Sequence, residues 1–167
     1  MKKNFSALKK FEADLKALEQ NKDIFMRQMA KELARIFEAE VRKRTPVSEG
    51  IFIVVGKYKR GKKKGMPILE KETGGGKLRA AWHTTDIVKH RNYYLTSVLN
   101  NMEYASYVEN GHRQRVGRYV PVLGKTLKKN FVEGQHMMKL SAELIEKEGA
   151  EYLQSQFYEF LRRHFDA

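Results

Sequence analysis

Two runs of basic residues are the part of this sequence best suited to bind a charged partner. The first lies at 57–64, where Tyr58 and glycines interrupt the basic side chains Lys57, Lys59, Arg60, Lys62, Lys63 and Lys64. The second consists of Arg113, Arg115 and Arg118. Lysine and arginine bind backbone phosphates without special geometry, and an exposed tyrosine can stack on a base. Both runs are therefore candidate phosphate-contacting sites, although a solvated surface loop explains the first run equally well.

The net charge of +13 is concentrated in the middle of the chain. Residues 51–77 carry +6 and residues 78–135 carry +5, whereas residues 136–167 carry −2. A concentrated basic segment favours a polyanionic partner, most simply nucleic acid. The sequence contains no zinc-finger or recognition-helix pattern, so we predict nonspecific contact with DNA and no reading of base sequence.

Residues that catalyse reactions or bind metals have no organised spacing here. There is no cysteine, and the histidines lack ligand spacing such as H-E-x-x-H: they are His83, His90, His112, His136 and His164. Glu70 and Glu72 lie in a charged, glycine-rich region where nothing would fix their separation. We therefore predict no catalytic, cofactor-binding or metal-binding residues and expect that the protein is not an enzyme.

Length and hydropathy limit the class of protein. A chain of 167 residues fits a single domain, 1–167, that is large enough to bury a core. No apolar run approaches the ~18 residues that a membrane span requires. The basic N-terminus continues into an amphipathic pattern without an unbroken apolar segment, so we expect no signal peptide and no membrane partner. The lack of cysteine fits synthesis in the cytoplasm.

Helical periodicity dominates both ends of the chain. Phe5, Leu8, Phe11, Leu15 and Leu18 form a first apolar stripe, and a second runs from Phe25 to Val41 before Thr45-Pro46 ends the helix. We predict an interruption at Asn21-Lys22-Asp23, with Asp23 capping the second helix. The second stripe is predicted to form core, whereas the first is far enough from the other motifs to protrude and pack on a neighbouring subunit.

Strand patterns fill the region between the terminal helices. We predict a buried strand at 51–55, a partner at 68–69, two antiparallel strands at 78–88 and 93–99, and a short edge strand at 119–123. The segment 57–65 is predicted to be a mobile loop. An amphipathic helix follows from His136, with a kink at Gly149. The fold class is therefore α+β, a small antiparallel sheet packed by long N-terminal and C-terminal amphipathic helices, with a basic flexible insertion.

A short anchored turn is predicted at residues 104–113. Tyr104, Tyr107 and Val108 have the spacing that places them on one face of a helical turn, and Gly111 lies where that turn should end. Glu109 would point away from the aromatic face, towards Arg113 or a neighbouring chain.

The same stretch resembles a known family. The pattern Tyr-Ala-x-Tyr-Val-Glu-x-Gly, carried by Tyr104, Ala105, Tyr107, Val108, Glu109 and Gly111, follows Thr45-Pro46-Val47 and a Gly-x-Leu-Arg piece containing Leu78 and Arg79. This order is similar to that of the tail-component (tail-completion) family of long-tailed bacteriophages, over roughly residues 25–145. In that family the Thr-Pro-Val and Gly-x-Leu-Arg pieces are normally adjacent. Here a lysine-rich insertion at 48–75 separates them.

The resemblance implies a structural protein of the neck or tail top of a phage or prophage particle. Its expected partners are further copies of itself, arranged as a ring, and the phage connector and tail-tube proteins. The implied location is the virion, after assembly in the bacterial cytoplasm. A basic loop in such a ring would meet DNA if it faced the channel, or acidic partners if it faced outward. The alternative hypothesis is a nonspecific nucleic-acid-binding module that uses the 57–64 loop.

Overall fold

The chain folds as two long helices with short paired strands between them. The computed structural model describes residues 2–47, 51–73, 75–120 and 125–165. It contains two compact units, each built from separate stretches of chain. The first unit comprises residues 1–40, 83–99 and 139–167, and the second comprises residues 41–82 and 100–138.

The first unit is built on an antiparallel helix pair. Helix α1 spans Lys2–Arg44 and helix α4 spans Met137–Phe165. Phe25 of α1 is buried and stacks on Phe160 of α4, with ring centroids 4.4 Å apart, and near the other end of the pair the rings of Phe11 and Phe165 are 6.0 Å apart. The predicted packing of the second apolar stripe is thereby confirmed at Phe25.

Helix α1 is continuous, so the predicted interruption at Asn21-Lys22-Asp23 is wrong. Each of these residues costs only a few tenths of a kcal/mol in a helix interior, because none has the steric defect of proline. Packing of the flanking apolar stripe on α4 outweighs that cost. Asp23 caps nothing here; its carboxylate instead forms an ion pair with Lys89.

A central hairpin completes the first unit. Strands β4 (Val88–His90) and β5 (Tyr93–Leu95) pair antiparallel across a tight turn, and β3 (Trp82–Thr84) pairs with β6 (Val98–Asn100). The predicted hairpin is confirmed in outline but begins later than predicted. The first residues of the predicted strand instead form one helical turn, α2 (Lys77–Ala80), that follows Gly76 at φ 100°. The positive φ of that glycine turns the chain out of the extended conformation.

The second unit contains the remaining strands and one short helix. Strand β1 (Ile51–Lys57) pairs antiparallel with β2 (Pro67–Thr73), as predicted. Helix α3 (Ala105–Asn110) is followed by β7 (Gly111–Arg113), β8 (Tyr119–Val120), β9 (Lys125–Thr126) and β10 (Phe131–Glu133). Strand β7 pairs with β10, and β8 pairs with β9. The α+β class is confirmed, with strands arranged as five separate two-stranded ladders in the described chain.

One strand prediction needs correction, and another is confirmed over the residues that the structure describes. Strand β1 was predicted to be buried, yet Val54 and Val55 are each 49% exposed, because the ladder with β2 has only two strands and gives β1 no second layer. The edge strand predicted at 119–123 is observed at Tyr119–Val120, and its remainder lies outside the described residues.

Helix α4 passes through Gly149 without a break. The glycine is buried, and a Cβ added there would lie 3.3 Å from Ile145 and 3.6 Å from Leu33 of α1. The absence of a side chain therefore lets the two helices approach closely. The kink at Gly149 stays a prediction.

Candidate functional site

The separated motif pieces Thr-Pro-Val and Gly-x-Leu-Arg meet at the end of α1. Thr45 is fully buried; its hydroxyl donates to the carbonyl of Val41 at 2.7 Å and accepts from Trp82 Nε1 at 2.8 Å. The Arg79 guanidinium donates twice to the Thr45 carbonyl, through Nε at 2.9 Å and Nη2 at 2.6 Å. Thr45 therefore lies where the helix ends and is hydrogen-bonded to both Arg79 and Trp82. Pro46, which follows it, is exposed.

The insertion between the two pieces leaves this contact intact. Residues 51–73 leave and return as the β1–β2 ladder, so Thr45 and Arg79 come together although 34 positions separate them. Leu78 is buried, and its carbonyl accepts a hydrogen bond from Asn100 Nδ2 at 2.8 Å. The sequence pattern identified these residues as parts of the motif, but only the folded chain shows which groups they contact.

The Tyr-Ala turn forms helix α3, which ends at Gly111 as predicted. Its aromatic residues remain at the surface: Tyr104 is 41% exposed and Tyr107 is 59% exposed, with the Tyr107 ring meeting that of His112 edge-on at 6.1 Å. Ala105 and Val108 are half-buried. The turn therefore offers two tyrosines to a partner and keeps its smaller side chains against the protein.

Glu109 caps the C-terminal helix. Its Oε2 accepts a hydrogen bond from the backbone N–H of Met138 at 3.0 Å, and its carbonyl accepts from His136 N–H at 3.1 Å. A carboxylate at this position accepts a hydrogen bond from a backbone N–H of the first turn of α4, which has no partner within the helix. Its negative charge also interacts favourably with the positive end of the helix dipole. This contact was missed at the level of sequence, where Arg113 or a neighbouring chain was the expected partner. A Glu 28 residues before the start of a helix gives no local capping signal.

Gly111 and Gly134 are in backbone contact, where the end of α3 meets the segment between β10 and α4. Gly111 has φ 80°, and a Cβ added there would lie 2.8 Å from Gly134 N. A Cβ added at Gly134 would lie 2.7 Å from both Asn110 C and Gly111 N. The two backbones touch, and the Gln135 N–H donates to the Val108 carbonyl at 2.8 Å. The Gly111 of the motif is thus needed both for its conformation and for close approach.

The first basic run occupies the tip of the β1–β2 hairpin. Backbone hydrogen bonds continue past the strands, from Tyr58 N to Met66 O at 3.0 Å and from Gly65 N to Tyr58 O at 2.8 Å, so the predicted loop is an ordered turn. Tyr58 is 39% exposed, and Lys63 Nζ lies 5.7 Å from its ring centroid. All six candidate phosphate-contacting side chains of this run are exposed: Lys57, Lys59, Arg60, Lys62, Lys63 and Lys64.

The second basic run starts at β7. Arg113, Arg115 and Arg118 are exposed, and their contact with phosphates stays a prediction. Both basic runs, the Thr45 contact and the Tyr-Ala turn belong to the second unit.

The first unit contains a polar contact between α1 and the central hairpin. Lys89 and Asp23 form an exposed ion pair that ties the central hairpin to α1. The hydrogen bond from Lys89 holds the pKa of Asp23 below its ordinary value, the Asp23 carboxylate raises the pKa of Lys89, and loss of solvent around its hydroxyl raises the pKa of Tyr94. An exposed pair of this kind contributes little to stability.

One groove of the first unit is lined by charges of both signs. It encloses about 680 Å³ between α1 and the residues after β3. Glu32 and Arg35 on its wall pair with each other at 2.7 Å, and Thr84 donates to Glu38 at 2.6 Å. Within the described chain, no three His, Asp or Glu side chains cluster in a way that could hold a metal ion. No helix in that part of the chain is long and apolar enough to cross a membrane.

Comparison with known proteins gives one match. The family model described as "Bacteriophage HK97-gp10, putative tail-component" matches residues 9–111, more than half of the chain. The matched stretch includes α1 from residue 9 onward, the Thr45 contact, the first basic run and the Tyr-Ala turn as far as Gly111. No curated protein and no solved structure matches the chain.

Proposed function

Because the chain belongs to the HK97-gp10-like family of phage tail components, we propose that it is a structural protein of the phage neck or tail top. In this role it completes the tail or joins the tail to the head, and it acts by assembly of subunits into a ring, with no enzymatic step. Its partners would be copies of itself and the connector and tail-tube proteins. It would be made in the bacterial cytoplasm and end in the virion.

The observation that carries this proposal is the amount of apolar surface left uncovered. In the described chain seven hydrophobic residues are buried, whereas twenty-seven large hydrophobic side chains are exposed. Isolated apolar residues on a surface are normal, but contiguous apolar stripes mark surfaces that bind other proteins. A subunit whose role is assembly needs such surfaces, and the covered area in a ring supplies the association energy.

The N-terminal part of α1 carries the clearest of these stripes. Phe5, Leu8, Phe11 and Leu15 are 62%, 64%, 51% and 44% exposed, and they lie on one side of the helix. Phe11 already faces Phe165 near the end of α4, so Phe5 and Leu8 extend along α1 beyond that contact. This geometry supports packing of the stripe on a neighbouring subunit.

Replacing Phe5 and Leu8 together by glutamine should dissociate the assembly. Burying two such side chains contributes about 3–6 kcal/mol, so their loss should weaken self-association by roughly 100- to 10,000-fold. Light scattering after size-exclusion chromatography measures the change, and circular dichroism checks that the helices remain.

The matched control replaces Val54 and Leu69 by glutamine. These residues form an exposed cross-strand pair of the β1–β2 hairpin, and the control should assemble like the parent. A parent protein that stays monomeric, even when mixed with connector and tail-tube proteins, contradicts the proposal.

A second candidate function is nonspecific binding of nucleic acid by the first basic run. The exposed hairpin tip, with Tyr58 available for stacking, favours it. Replacing Lys59, Arg60, Lys62, Lys63 and Lys64 by alanine should lower the slope of log affinity against log salt by about 4, since each phosphate contact contributes ~0.9. Fluorescence anisotropy with labelled DNA measures that slope. Unchanged binding in the variant would remove this candidate.

A further inference from the structure

The basic excess of the chain is confined to the second unit. Residues 41–82 and 100–138 contain eighteen Lys and Arg against six Asp and Glu, a net charge of +12, which leaves +1 for the first unit. The first basic run supplies only part of this excess. The remainder includes a segment that lies beyond the residues matched by the family model, which end at 111.

The described residues 111–120 and 125–133 pair antiparallel. They are here called the distal hairpin, with 111–120 as its outgoing strand and 125–133 as its returning strand. Strand β7 pairs with β10 at its base, and β8 pairs with β9 farther out. Backbone hydrogen bonds link the two ladders: Gln114 N donates to Asn130 O at 2.8 Å, and Gly117 N donates to Leu127 O at 2.9 Å. The pairing brings the sequence 125–130 alongside 113–120.

This pairing enlarges the second basic cluster. Sequence reasoning found the three arginines of the outgoing strand, and the hairpin adds three lysines on the returning strand: Lys125, Lys128 and Lys129. Between Gly111 and Val132 the sequence contains no acidic residue. The distal hairpin therefore carries positive charge on both strands with no local compensation.

The six side chains are available to an outside partner. All are exposed. Among the described residues none of the six forms a side-chain hydrogen bond or ion pair, whereas basic residues of the first unit such as Lys16, Lys89 and Arg163 are paired with acids. Six uncompensated charges on one hairpin repel each other, and a polyanion relieves that repulsion.

We propose that the distal hairpin is a binding site for the phosphate backbone of duplex DNA. The β7–β10 ladder has three residue pairs and the β8–β9 ladder has two, and a tight turn in which Arg118 N–H donates to the Arg115 carbonyl lies between them. The six basic side chains lie on both sides of this hairpin, so they can contact phosphates of both DNA strands. Binding at this site would depend on charge and not on base sequence, because contacts of Lys and Arg with phosphates carry no sequence information.

Duplex DNA fits this surface better than an acidic protein does. The six charges are spread along both sides of the hairpin, and the exposed side chains of Val116, Tyr119 and Phe131 lie among them. Phosphates arranged in two regular rows match a spread of charge over two strands. An acidic polypeptide is therefore the competing ligand in the test.

The experiment measures binding of short duplex DNA by fluorescence anisotropy as salt rises from about 50 to 200 mM. The variant Lys125→Gln/Lys128→Gln/Lys129→Gln should reduce the slope of log affinity against log salt by about 2–3 relative to the parent. The matched control Lys22→Gln/Lys31→Gln/Lys147→Gln removes the same charge from exposed positions of the first unit and should keep the parent's slope.

Three results would overturn the proposal. The first is an equal slope of log affinity against log salt for the Lys125→Gln/Lys128→Gln/Lys129→Gln variant and for the control. That result would mean that DNA binds to the first basic run and not to the distal hairpin. The second is no DNA binding by the parent. The third is binding of poly-glutamate as tight as binding of DNA. Circular dichroism and the light-scattering mass of each variant show whether the fold and the assembly persist, so loss of DNA binding is separable from loss of assembly.

Discussion

Replacing Trp82 by alanine is expected to lower the free energy of unfolding by about 3–5 kcal/mol, a large fraction of the total stability of a typical domain. Trp82 is only 3% exposed, and its indole N–H donates to the hydroxyl of buried Thr45. Its backbone carbonyl also accepts from Arg42, within the same unit. Alanine removes the ring and leaves a cavity beside the end of α1. Urea denaturation followed by far-UV circular dichroism measures the change.

Two further variants complete this test. The first removes the hydrogen bond at this site, and the second is an exposed control elsewhere in the chain. Thr45→Val keeps the volume but leaves the indole N–H buried without an acceptor, which should cost about 1–3 kcal/mol. Tyr158→Ala removes an aromatic ring that is 55% exposed, and it should change stability by about 0.5 kcal/mol or less. A Trp82→Ala protein as stable as Tyr158→Ala would contradict the placement of Trp82 in the core.

Replacing Gly134 by alanine is expected to destabilise the second unit by about 2–4 kcal/mol. The added Cβ would collide with the Glu109 carbonyl and would lie 2.7 Å from Asn110 C and Gly111 N. All three are backbone atoms, which cannot move aside as the end of a flexible side chain can. Moving Gly134 away from the end of α3 would also disturb the hydrogen bond from His136 N–H to the Glu109 carbonyl, and with it the start of α4. Thermal unfolding followed by circular dichroism is the measurement.

Gly56→Ala is the matched control for this prediction. A Cβ at Gly56 would meet Ile68 Cδ1 at 3.9 Å, an ordinary contact, so this variant should unfold close to the parent temperature. Equal midpoints for the two variants would show that the crossing of α3 with the strand before α4 is looser than the structure describes.

These two contacts give the family motif a physical meaning. Thr45 and Arg79 join the end of α1 to α2, and Glu109 and Gly111 join α3 to the start of α4. Each motif residue with a buried or capping role holds elements that are distant in sequence. The exposed tyrosines 104 and 107 remain available for the assembly proposed above.

The sequence by itself determined the features that depend on neighbouring residues. The end of α1 at Arg44 follows from Thr45-Pro46, the end of α3 follows from Gly111, and the extent of α4 follows from its apolar periodicity. Proline, glycine and helical spacing act over one or two turns, so a linear reading captures them. The order of the motif pieces was enough to identify the family.

Only the tertiary structure decided which distant residues meet. Nothing near Glu109 marks it as the cap of a helix that begins 28 residues later, and nothing near Lys125 places it opposite the second basic run. The continuity of α1 through Asn21-Lys22-Asp23 was likewise set by packing against α4, which overrides weak local preferences. Long-range contacts depend on how separate elements pack together, and local sequence patterns do not contain that information.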